Sequence, residues 1–110
     1  MMLQHELRGD ILIVRPIGRL DGSSSSELER QLIEHFESGA RRMVFDLADL
    51  DYVSSAGMRA ILLAAKTLRG SRGRLALAGL RDMVRDVFEM SGFMTVFAVL
   101  PTVDEAMARV

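Results

Sequence analysis

Between Met43 and Arg69 the hydrophobic pattern changes its period, and this change constrains the fold more than any other feature of the chain. Met43-Val44-Phe45 is a continuous apolar run of the kind a buried strand requires, while Met58 to Arg69 spaces its apolar residues for one face of a helix. The thirteen residues from Asp46 to Met58, D-L-A-D-L-D-Y-V-S-S-A-G-M, carry the chain from one to the other. Ser54-Ser55-Ala56-Gly57 is therefore expected at a strand-to-helix junction. A helix start leaves N–H groups unpaired, and a serine hydroxyl can accept one of them. The same amides, together with the positive end of the helix dipole, favour a phosphate. A serine in this position is either a cap or a switch.

The rest of the chain alternates strand and helix patterns. Leu3 to Leu7 alternates and meets the turn signal Gly9-Asp10, after which Ile11-Leu12-Ile13-Val14 reads as a strand buried on both faces, so a hairpin opens the fold. Pro16, which cannot donate to a ladder, is expected at a strand end or facing an unpaired side, with Gly18-Arg19-Leu20-Asp21 closing the strand. One of the four serines at 23 to 26 is expected to cap a helix from Leu28 to Phe36, with Leu28, Leu32, Ile33 and Phe36 on its buried face and Ser38-Gly39 ending it. In the helix after the junction, Met58, Ile61, Leu62, Ala65, Leu68 and Arg69 share one face. Arg59, Leu63, Lys66 and Thr67 share the other, which makes Leu63 an exposed apolar residue. Leu75 to Ala78 reads as a strand, and Met83, Val84, Val87 and Phe88 as the buried face of a third helix. Val96 to Val99 reads as a last strand, and Thr102 to Glu105 as a capping box for a final helix. The whole is an α/β chain, expected to be one domain over 1–110.

Composition removes several function classes. Fourteen basic against fifteen acidic residues give a net charge of −1, and the basic residues look scattered along the sequence, so nucleic acid is not an expected partner. No apolar run approaches the length needed for membrane insertion. With no cysteine there is neither a disulfide framework nor a thiolate metal site, and cytoplasmic residence is expected. The enzyme readings fail on particular residues. A serine nucleophile would want G-x-S-x-G, but Val53 stands at the turn, and His5 and His35 are expected in an edge strand and on a polar helix face, so no base is at hand. The phosphate-loop pattern is absent, and Gly70 and Gly73 precede a strand rather than a helix. Asp46, Asp49 and Asp51 have no histidine with them, and acids before a helix start are favourable without any metal. No cofactor and no metal are expected.

The pattern D-L-x-x-L-x-x-V-S-S-A-G-M-R resembles the signature of STAS domains, in particular the bacterial anti-sigma factor antagonists. So do G-x-L-D at Gly18 to Asp21 and the run L-A-G-L-R-D-M-V-R-D-V-F-E-M-S-G-F, so that the likeness spans nearly the whole chain. The resemblance implies a mixed β-sheet of about five strands with about four helices packed on it. It also implies a regulator without enzymatic activity, which binds an anti-sigma factor serine kinase and releases it when the kinase phosphorylates one serine. A phosphatase then restores the hydroxyl. Matched residue by residue, that serine is Ser55, two before Gly57, with Ser54 where many members carry Asp. The docking surface expected from the resemblance and the helical period comprises Asp21, Ser54, Ser55, Gly57, Met58, Arg59 and Leu63. The same resemblance leaves two alternatives for this chain, a cytoplasmic STAS subunit of a phospholipid-transport ABC complex and a scaffold of stress-sensing assemblies. Oligomeric state stays open between monomer and weak dimer.

Overall fold

A computed structural model describes all residues from Met1 to Val110. The hairpin is formed by β1 (Met2–Arg8) and β2 (Ile11–Leu20), joined at Gly9, which takes a positive φ of 64°. Then follow α1 (Gly22–Glu37), β3 (Arg42–Asp46), β4 (Leu50–Val53), α2 (Ser55–Gly70), β5 (Arg74–Ala78), α3 (Asp82–Met90), a single 3-10 turn at Phe93–Thr95, β6 (Ala98–Leu100) and α4 (Val103–Met107). The sheet runs β1-β2-β3-β5-β6, antiparallel only between β1 and β2, and β4 adds a sixth strand by pairing with the far end of β2.

Strand β2 positions the site because it has two parallel partners in succession. Ile11 to Val14 pair with Arg42 to Phe45 of β3, and from Gly18 onward the same edge pairs with Leu50 to Val53 of β4. Pro16 lies inside the strand rather than at its end, but in the interval between the two partners, where a missing N–H costs no ladder bond on that edge. Arg15 spans the same interval: its Nε donates to Asp46 Oδ2 at 2.9 Å, and this bond holds the guanidinium pKa above its ordinary value.

Both faces of the sheet are covered. Leu12, Val14, Met43, Phe45 and Leu77 point into the larger core with α1, α2 and α3, while Ile11, Ile13, Val44, Ala76 and Ala78 meet α4 around Ala106. Ile11 to Val14 are all buried, as a run without polar alternation requires. Three expectations need correction. No serine of 23 to 26 caps α1. The helix starts at Gly22 with Asp21 as its cap, and Ser24 supplies the reciprocal half of the box through the Asp21 N–H. Ile33 is 52% exposed instead of buried with Leu32, and Arg69 is exposed as well, because α2 turns Ala60 and Ala64 inward and so buries a face displaced from the one the large residues mark. Finally, β6 starts two residues later than expected, since Phe93–Thr95 coil into the 3-10 turn and Phe97, rather than Val96, packs inward.

Candidate functional site

Val53 of β4 pairs with Leu20 of β2, and the next N–H, that of Ser54, donates to the Leu20 carbonyl at 2.9 Å. This bond brings the starts of α1 and α2 out side by side at one edge of the sheet, so that Asp21 adjoins Ser54. Ser54 is extended, with φ −91° and ψ 173°, and its hydroxyl accepts the Gly57 N–H at 3.2 Å. It is therefore the cap of α2. Ser55 is the first residue of the helix, exposed, and its hydroxyl makes no hydrogen bond to any other side chain or backbone group. The pair divides the two roles open to a serine here, one hydroxyl committed to the backbone and the other free.

Gly57 makes the junction possible. A Cβ added there would stand 2.7 Å from Leu20 Cγ and 2.8 Å from the Leu20 carbonyl oxygen, so only glycine lets α2 start this close to β2. Asp21 is present at the junction but engaged. Its Oδ1 accepts the Ser23 hydroxyl at 2.7 Å and the Ser23 N–H at 3.0 Å, and these bonds hold its carboxyl below the ordinary carboxylate range. Arg59, one turn after Ser55, is exposed and without an acidic partner, and Leu63 is 47% exposed as expected. Met58 is not part of this surface. It is 6% exposed and belongs to the main core, so the expectation that it docks a partner is corrected for its side chain.

Two features were not anticipated. Ile33 of α1 stands opposite Leu63 across a hollow of about 260 Å³, whose walls include Leu32, Phe36, Ala60 and Ala64. The spacing of Ala60 and Ala64 was the available signal, since small residues one turn apart let two helices approach. Beside the junction, the Arg19 guanidinium lies 4.0 Å from the centre of the Tyr52 ring, a stacking that the register of β2 on β4 dictates. Of the three acids weighed as a cation site, Asp46 is buried and occupied by Arg15 and by the Ala48 N–H, while Asp49 and Asp51 are exposed. His35 lies in the last turn of α1, the end away from the junction, so no imidazole is placed to activate Ser55. The site offers an exposed hydroxyl, helix-start amides and the cation of Arg59, an arrangement that favours a negative charge at the start of α2.

A family model described as the STAS domain matches residues 2–106. The chain belongs to the STAS domain family. A Bordetella bronchiseptica STAS relative, BtrV, provisionally named an anti-sigma factor antagonist, is 44% identical over 91 residues, which are 83% of this chain and 78% of that protein. Among solved structures, a Thermotoga maritima protein provisionally named in the same way superposes with a TM-score of 0.93 at 19% identity, covering 98% of this chain and 93% of the other. The antagonist SpoIIAA in its unphosphorylated form gives 0.84 at 24% identity, covering 98% and 95%. SpoIIAA of Bacillus in its phosphorylated form gives 0.76 at 23%, covering 98% of both chains. The STAS fold is thus shared in full, from the opening hairpin to the region of α4.

Proposed function

We propose that this STAS protein is an anti-sigma factor antagonist that works by partner switching in the cytoplasm. Unphosphorylated, it binds an anti-sigma factor serine kinase through Asp21, Ser54, Ser55, Arg59 and Leu63, and so frees the sigma factor. The kinase transfers a phosphoryl group to Ser55, the complex dissociates, and a phosphatase resets the hydroxyl. The observation that carries this reading is the division of labour between the two serines: the Ser54 hydroxyl caps α2 while that of Ser55 is exposed and unengaged. The identity to BtrV and the likeness to SpoIIAA, which is known in both phosphorylation states, support it.

Phosphate on Ser55 brings roughly −1.5 to −2 charges to the start of α2, where the dipole and Arg59 favour it. The free protein therefore keeps its fold. In the complex, a partner closing over that charge strips its water, and a loss of about 3 kcal/mol lowers affinity more than a hundredfold. The test is incubation with the anti-sigma kinase of the same organism and ATP, site mapping by mass spectrometry, and titration calorimetry of Ser55→Asp and Ser55→Ala. Phosphate on Ser55, poor binding of Ser55→Asp with an intact fold, and persistent binding of Ser55→Ala in ATP are expected. Phosphate on Ser54 alone, or tight binding of Ser55→Asp, refutes the mechanism.

A further inference from the structure

Four of the fourteen basic residues, which look scattered in the sequence, share the end of α2 remote from Ser55. Arg69 in the last turn of α2, Arg74 at the start of β5 and Arg109 beyond α4 line one hollow of about 240 Å³. All three are exposed and none forms an ion pair, whereas Arg8, Arg15, Arg30, Arg42, Arg81 and Arg85 each have a carboxylate. Arg72, in the tight turn between α2 and β5, adds a further unpaired positive charge to the same end. The negative end of the α2 dipole accounts for Arg69. It does not account for Arg74 and Arg109, which come from other elements and carry the cost of like charges held together. Part of the lining is apolar, with Leu75 half-buried and Phe97 buried, so an anion seated there is partly shielded from water and attracted more strongly than on an open surface.

We propose that this hollow binds a phosphate-bearing anion, held by the guanidinium groups of Arg69, Arg74 and Arg109. The planar fork of arginine matches two phosphate oxygens at once, and three forks from three elements suit a ligand with more than one negative charge. The site lies roughly 21 Å along α2 from Ser55 at 1.5 Å per residue, and it does not depend on the proposed partner-switching function.

The probe for a free ligand is pyrophosphate, titrated into the full chain in low salt while amide shifts are followed by NMR. The probe for a lipid headgroup is co-sedimentation with vesicles of phosphatidylglycerol, against vesicles of phosphatidylcholine. Saturable shifts confined to the α2–β5 turn, the start of β5, the segment around Phe97 and the chain end are expected, with affinity lowered roughly tenfold by Arg74→Ala and further by the Arg74→Ala, Arg109→Ala pair. Both side chains are exposed, so unchanged thermal melts will show that the variants are folded, and Arg85→Ala, whose arginine is paired elsewhere, should bind as the wild type does. Saturable pyrophosphate binding assigns a soluble ligand. Sedimentation with phosphatidylglycerol only, abolished in the paired variant, assigns a headgroup. Absence of both, or shifts spread over every basic residue and unchanged in the paired variant, overturns the proposal.

Discussion

The imidazole rings of His5 and His35 meet edge to face, their centres 4.6 Å apart, and so tie the outermost strand of the sheet to the last turn of α1. Burial, and then the proximity of His5, hold the His35 pKa below its ordinary value. The unfolded chain takes up this proton more readily than the folded one. Stability from His35 is therefore complete above the unfolded pKa of about 6.5 and is lost as pH falls from there through the folded value. The urea midpoint should be lower at about pH 5.5 than at about pH 7.5, and the difference should shrink in His35→Gln and in His5→Gln. An equal fall in all three proteins would assign acid sensitivity to carboxylates instead.

Ser54 and Ser55 should separate in stability as they do in bonding. Ser54→Ala removes the cap of α2 and is expected to cost about 1 kcal/mol, within the usual range of roughly 0.5 to 2. Ser55→Ala removes a hydroxyl with no partner and should change stability by less than about 0.5 kcal/mol. Urea denaturation of both variants decides the matter, and the reverse order would mean that the cap had been assigned to the wrong residue.

Gly57→Ala forces a Cβ against the Leu20 carbonyl and side chain, and backbone cannot yield as a flexible side chain can. A loss of about 1 to 3 kcal/mol is expected, with NMR shift changes reaching Leu20 and Asp21 across the junction. A neutral result would show that α2 can move away from β2 at little cost.

Met58 and Leu63 lie on the same helix and should behave oppositely. Met58→Ala opens a cavity in the main core and should cost about 2 to 5 kcal/mol, whereas Leu63→Ala should stay within about 0.5 kcal/mol of wild type. Leu63→Ala should instead weaken binding of the proposed anti-sigma kinase partner, and intact affinity would remove Leu63 from the docking surface.

Much of the fold was legible because local pattern and tertiary environment agree. The unbroken run Ile11 to Val14 announced a strand covered on both sides, Thr102 announced α4, and Thr102 Oγ1 does accept the Glu105 N–H, at 3.2 Å. What failed did so where partners distant in sequence decide. Leu50 to Val53 is not marked as a strand by the sequence because four residues have no period of their own, and it exists only because the end of β2 offers it an edge. The serine tract invited a serine cap, yet Asp21 takes that place because Ser23 and Ser24 sit where both can bond back to it. At the junction, the spacing located the serines but could not divide their roles, which depend on the Ser54 N–H finding the Leu20 carbonyl. Met58 lies in the core with Ile61 and Leu68, as the face it shares with them in the helical period requires, and only the resemblance had set it on the docking surface. The arginine hollow was invisible in the sequence, since its members are brought together only when β5 and the chain end close on α2.

The order of the strands also governs how the chain can reach this structure. Of the strands that pair, only β1 and β2 adjoin in sequence, while β2 with β3, β3 with β5 and β5 with β6 each meet across an intervening helix. Each parallel pairing must therefore close a loop, and lose that entropy, before its ladder bonds repay the loss. The hairpin can form on a scale of roughly microseconds, so it stands ready as a template while the later strands search for their register. During that search β2 presents one unpaired edge to two successors, and β3, made earlier in the chain, has first claim on its Ile11 end. The junction that carries Ser54 and Ser55 depends on β4 taking the end that is left. The two serines are thus placed only when β4 has docked, and a chain in which that short strand stayed free would hold the rest of its sheet without the bond from Ser54 to Leu20.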